Sequence, residues 1–123
     1  MDKFPGGCEI FIANIYDPTD GISDPQSIGL PRWPDAVKVV ALTNQKITEL
    51  CDTYKNVHLV DIHSEFLGHG IHCTERWRTY YHKDDPCYWY FENFEDPNPR
   101  GYDAIRRLFL LEMTKLFSEN PIN

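Results

Sequence analysis

The sequence predicts an α/β fold with parallel strands, and three observations carry that prediction. A short β-rich apolar run, Cys8–Tyr16, precedes a helical stripe over residues 35–54, and a second apolar run, Val57–Ile62, follows it. Helix between strands on this scale requires a crossover of a dozen residues or more, which gives parallel, right-handed pairing. Two strands with two long helices leave a parallel sheet short of partners, so the chain reads as the C-terminal half of an α/β domain, in the order strand, helix, strand, long loop, helix.

The elements follow in order. Cys8–Tyr16 is stopped by Asp17-Pro18, and residues 17–34 hold Pro18, Gly21, Pro25, Gly29, Pro31 and Pro34, the composition of a long loop. Asp35 is placed to cap a helix running to about Tyr54. Its residues Val37, Val40, Ala41, Asn44, Ile47, Cys51 and Tyr54 recur at three- and four-residue steps. Lys55-Asn56 breaks it before the second strand. From His63 to Pro99 the chain is irregular and aromatic-rich, with a short helix expected around Glu75–Tyr81. The last helix spans about Tyr102–Phe117 on the stripe Ile105, Leu108, Phe109, Met113, Leu116 and Phe117, and ends at Ser118-Glu119-Asn120-Pro121.

With 123 residues the chain has room for one small, partial domain over residues 1–123. Twelve basic and nineteen acidic residues give a formal charge of −7, a field that repels phosphate backbones and argues against nucleic acid. No apolar stretch approaches the ~20 residues of a membrane span, and Met1–Gly7 lacks the apolar core of a secretory signal. Cys8 and Cys51 read as reduced thiols in apolar settings. Cys73 and Cys87 bracket a loop and suit a disulfide only if the protein is exported, so the compartment stays open.

The segment Glu95-Asp96-Pro97-Asn98-Pro99-Arg100-Gly101-Tyr102-Asp103-Ala104-Ile105 resembles the final motif of the SGNH/GDSL hydrolase family of esterases and lipases, D-x-x-H-P-N-x-x-G-[YH]. Upstream, Asn44-x-x-Ile47, Asn56–Asp61, Phe66-Leu67-Gly68-His69-Gly70 and Ile10–Pro18 look like that family's preceding elements, so the likeness covers nearly the whole chain. It implies a flavodoxin-like SGNH hydrolase fold, and acyl transfer from a small-molecule ester, acyl or carbohydrate-acetyl, to water. A serine is then the nucleophile, a histidine its base and an aspartate the orienting group. No organic cofactor is implied, because no Gly-rich phosphate loop follows a strand. The family's serine, glycine and asparagine blocks lie upstream of the matched region. The tempting Gly21-Ile22-Ser23-Asp24 follows the wrong strand.

Aligning Pro97-Asn98 with the family's Pro-Asn puts Asp96 at the histidine position and Asn93 at the aspartate position. A carboxylate with an ordinary pKa near 4 is a weaker base at neutral pH than an imidazole near 6.5. The catalytic candidates are therefore Asp96, Asn93 and, as a substitute imidazole, His69 in the loop after the second strand. His72, Trp89 and Asn98 are the substrate-binding candidates. No metal site is assigned. Three readings compete: the C-terminal part of an ester hydrolase, a non-catalytic SGNH-like binding or interaction module, and a small zinc protein using His69, His72, Cys73 and either His63 or Cys87. The open half-sheet anticipates a homodimer or pairing with an N-terminal half.

Overall fold

The computed structural model describes residues 3–119. It is mixed α/β: β1 (Ile10–Ala13), α1 (Ala36–Thr53), β2 (Val57–Val60), α2 (Ile62–Phe66) and α3 (Pro99–Glu119), with a 3₁₀ turn at Pro25–Ile28. The strands pair in parallel, Ile10 opposite Val57 and Ala13 opposite Val60, as the crossover reasoning requires. Among the described residues the sheet has these two strands alone, with α1 packed on β2 and α3 packed across both. The predicted helix stop at Asn120-Pro121 and the residues Met1-Asp2 lie outside the described residues.

Three local expectations need correction. Asp35 precedes α1 but its side chain makes no capping bond. Residues 75–81 form turns, not a helix. The short helix lies instead at α2, where Asp61 accepts hydrogen bonds from Ser64 N (3.2 Å) and Ser64 Oγ (2.7 Å) and so caps it. At five residues α2 is too short to show a helical period.

A two-stranded sheet is marginal alone, and the aromatic loop supplies what further strands would. Val60, Ile62, Phe66, Trp89, Tyr90 and Ala104 form the buried core. The fully buried Phe66 ring stacks on Tyr16 at 5.1 Å and meets Trp89 and Tyr90 edge-on at 5.1 and 5.6 Å, geometries favoured by the ring quadrupole. By contrast α1 buries only Ala36, and its Val39, Leu42 and Leu50, with Tyr54 just after it, are exposed. The stripe read from the sequence is real, but the sheet beneath it is narrow.

Ile10 N donates to Asn56 O (2.8 Å) and Asn14 N to Val60 O (3.2 Å), so the alternate residues Phe11 and Ala13 turn their backbone groups to the outer edge of β1. One step further, the Asn44 side chain from α1 stands in for a strand. Its Oδ1 accepts from Ile15 N (2.8 Å) and its Nδ2 donates to Ile15 O (2.9 Å).

The long loop is pinned to the β1 side by one carboxylate. Buried Asp20 accepts from Gly68 N (2.9 Å, Oδ1), from Gly70 N (2.9 and 3.1 Å, both oxygens) and from His72 N (3.0 Å, Oδ2). Burial raises its pKa, and these donors pull against that rise. The approach is so close that glycine is needed. A Cβ at Gly68 (φ 92°) would lie 1.8 Å from Tyr80 O, and one at Gly70 would lie 2.2 Å from Pro18 O.

Candidate functional site

At the C-terminal end of the strands, residues 90–97 form a closed loop ahead of α3. An antiparallel bridge joins Tyr90 to Pro97, and Phe91 N donates to Asp96 O (2.7 Å). Within this loop Asn93 folds back on Asp96: Oδ1 accepts from Glu95 N and Asp96 N, both at 3.1 Å, and Nδ2 donates to Asp96 Oδ2 at 2.8 Å. An asparagine three residues before a carboxylate can serve both, through an Asx turn. Between them Phe94 holds φ 60°, a left-handed conformation unusual for a phenylalanine, and strain of this kind gathers at functional sites. Tyr16 OH secures the far side by donating to Glu95 O at 2.8 Å. Burial, then the Asp96 charge, raises the Tyr16 pKa, so its hydroxyl stays a donor.

Asn98 sets where this loop meets α3. Its Oδ1 accepts from Gly101 N (2.9 Å), an N-cap with Pro99 at the first helical position, while Nδ2 donates to Tyr88 O (2.6 Å) and N to Trp89 O (2.9 Å). Gly101 is required because a Cβ there would lie 2.3 Å from Trp89 O. The family-like Pro-Asn-x-x-Gly spacing therefore has a physical content here: cap, first turn and close backbone approach. Asn98, a substrate-binding candidate in the sequence, thus caps α3.

Beside the loop lies a largely apolar cavity of about 230 Å³, its walls including Ile28, Leu30, Trp33, Ile71, Phe94 and Glu95. It opens between the end of β1, the N-terminus of α1 and the strained Phe94. Leu30 and Trp33 are 41% and 52% exposed, so the apolar wall continues to the surface. Ile28, Leu30, Trp33 and Ile71 escaped the sequence reasoning because the wall is assembled from four separate segments, residues 17–19, 25–40, 71 and 94–95. A tryptophan in a proline-rich loop was the one available signal.

The other candidates sit elsewhere. His69 is 2% exposed, with its ring on Trp89 at 3.5 Å and beside His82 at 4.3 Å. Its Nδ1 lies 2.8 Å from Cys87 O, and a carbonyl can only accept, so Nδ1 carries the proton. Burial lowers the His69 pKa, leaving a neutral ring packed in the loop. Trp89 is the buried wall of that stack, and Asn93 and Asp96 are brought together apart from it. His72 forms a third group, its Nε2 on Asp24 (2.8 Å) and its Nδ1 on Glu75, with Arg78 reaching the same glutamate at 3.3 Å.

Cys73 and Cys87, which suited a disulfide, are free thiols, as is Cys51. Burial raises the Cys73 pKa, which keeps that thiol protonated and unreactive. Among the described residues no group of three or more His, Cys, Asp or Glu side chains is arranged to hold a metal ion. No described helix is long and apolar enough to cross a membrane. Comparison of the chain with protein-family models, curated proteins and solved structures gives no significant match.

Proposed function

We propose that this chain forms the C-terminal, acid–base-bearing part of an SGNH/GDSL-type ester hydrolase of flavodoxin-like architecture, with the apolar cavity taking the acyl part of a small ester. The observation that carries the reading is the Asn93–Asp96 pair, hydrogen-bonded at 2.8 Å and set beside the cavity at the position the resemblance assigns to the base and its orienting residue. Asn93 holds Oδ2, and Oδ1 takes the proton of an attacking hydroxyl. The resemblance places that hydroxyl on a serine in an upstream segment. Proton transfer by a positioned base contributes ~10²–10⁴-fold to rate, less when its pKa lies far below the operating pH. The open edge of β1 supports pairing with such a segment.

The test is hydrolysis of p-nitrophenyl acetate and butyrate by the complete native polypeptide, after its intact mass is measured. Turnover that falls at least about tenfold in Asp96→Asn, and by less in Asn93→Ala, is expected. Unchanged turnover in Asp96→Asn removes Asp96 from the mechanism. A second reading, a binding module without catalysis, is favoured by the amide at Asn93, which cannot support an imidazolium by charge. Saturable quenching of Trp33 by butyrate esters without any turnover selects that reading instead. Sedimentation then decides whether a second copy covers the β1 edge.

A further inference from the structure

A second cavity lies on the other flank of the 17–22 turn. It measures about 300 Å³, at the small end of the ~300–1,000 Å³ range of ligand sites, and is lined by Asp20, Gly21, Trp77, Arg78, Thr79 and Tyr80 among others. Its features resist a purely structural account. The Trp77 side chain is 76% exposed and Tyr80 44%, two large aromatics on one rim with much of their surface in water. Beside them the Arg78 side chain is 34% exposed, its Nη2 donating to Glu75 Oε1 at 3.3 Å, which leaves further guanidinium N–H groups without a protein acceptor among the described residues.

The walls are fixed before anything binds. Asp20 ties the floor to Gly68, Gly70 and His72, and His72 ties the loop back to Asp24 and Glu75. Gly21, at φ 83°, brings the turn against the Tyr80 ring, where even a Cβ would sit 3.3 Å from Cε2. The charge balance excludes an anionic ligand. Arg78 shares its guanidinium with Glu75 Oε1 at 3.3 Å, Asp20 lies in the lining, and the chain carries −7 overall.

We propose that this cavity binds a neutral saccharide. The apolar C–H face of a sugar ring lies on Trp77 and Tyr80, and a ring hydroxyl oxygen accepts from the terminal guanidinium N–H groups of Arg78. The Thr79 hydroxyl, both donor and acceptor, suits the neighbouring sugar hydroxyls. The site stands independently of the ester-hydrolase reading, because it shares neither Asp96 nor the wall of the acyl cavity.

The test titrates the intact protein with neutral gluco- and xylo-oligosaccharides and, as a counter-probe, an oligogalacturonate, following the indole N–H and arginine guanidinium N–H signals by NMR. Neutral sugars shift Trp77 and Arg78 together. Trp77→Ala weakens binding about tenfold without changing the melting temperature, since its ring is exposed. Trp33→Ala, in the acyl cavity, leaves sugar binding unchanged. The proposal is overturned if no neutral sugar moves these signals at millimolar concentration, if Trp77→Ala binds as tightly as the parent, or if the acidic oligomer binds better. Sugar binding that leaves the Arg78 guanidinium signals in place overturns the assigned contact.

Discussion

Replacing Asp20 by alanine removes the acceptor for three backbone N–H groups, those of Gly68, Gly70 and His72, held at 2.9–3.1 Å. Each buried donor left unpaired costs about 1–3 kcal/mol. Two effects reduce the sum: water can enter the loosened loop, and the desolvation penalty of the carboxylate disappears. A net loss of about 3 kcal/mol follows, a large part of the ~5–15 kcal/mol stability of an ordinary domain. At roughly 4 °C per kcal/mol for a chain of this size, the melting temperature falls by about 12 °C. Urea midpoints and thermal melts followed by circular dichroism measure it. Asp20→Asn keeps the Oδ1 bonds but turns an amide N–H₂ toward the donors of Gly70 and His72, and should fall between parent and alanine variant. An alanine variant within about 1 kcal/mol of the parent would refute the claim that Asp20 organises the loop.

Three further outcomes are expected. Burial disfavours charging His72, and its hydrogen bonds to Asp24 and Glu75 outweigh that, so its pKa lies above the ordinary 6.5. Stability from a raised imidazole is complete below the unfolded value and disappears as pH rises through the folded one. The urea-midpoint gap between parent and His72→Gln therefore narrows as pH rises above the ordinary 6.5, and a pH-independent gap contradicts the assignment. Gly101→Ala, with its Cβ 2.3 Å from Trp89 O, should lose about 2–3 kcal/mol in thermal melts; a neutral result would mean that the start of α3 can shift freely. Phe66→Ala removes the ring at the centre of the aromatic core and should cost about 3–5 kcal/mol, measured by urea unfolding, and a loss below 1 kcal/mol would mean the core collapses around the gap.

What could be read from the sequence was what neighbours in the chain decide. Both strands and the helices α1 and α3 announce themselves by apolar period, and their observed ends fall within a few residues of expectation. Asn93 and Asp96 were singled out by the family resemblance alone, and they lie three positions apart, close enough for an Asx turn to join them. Asp20 was not: its partners lie 48–52 residues away, and nothing in Thr19-Asp20-Gly21 distinguishes an anchor from an ordinary turn. His69 misled for the same reason. Two flanking glycines suggest room for a ligand, whereas the flanking space at Gly68 and Gly70 is filled by the backbone of Tyr80 and Pro18.

The small contact between Asn44 and Ile15 bears on a different hazard, self-association into fibrils. Ile10–Ile15 is uncharged, β-prone and free of proline, and cross-β zippers need roughly six such residues in register. One edge of this segment is occupied by β2, and at Ile15 the amide of Asn44 already fills the groups that a foreign strand would seek. Phe11 and Ala13 still offer backbone pairing on the outer edge of β1, room for a short native partner strand but less than the roughly six residues a cross-β template needs. A side chain anchored on a helix thus ends the sheet at the point where the chain turns toward its candidate site, and does so without an added strand, a proline or a charge.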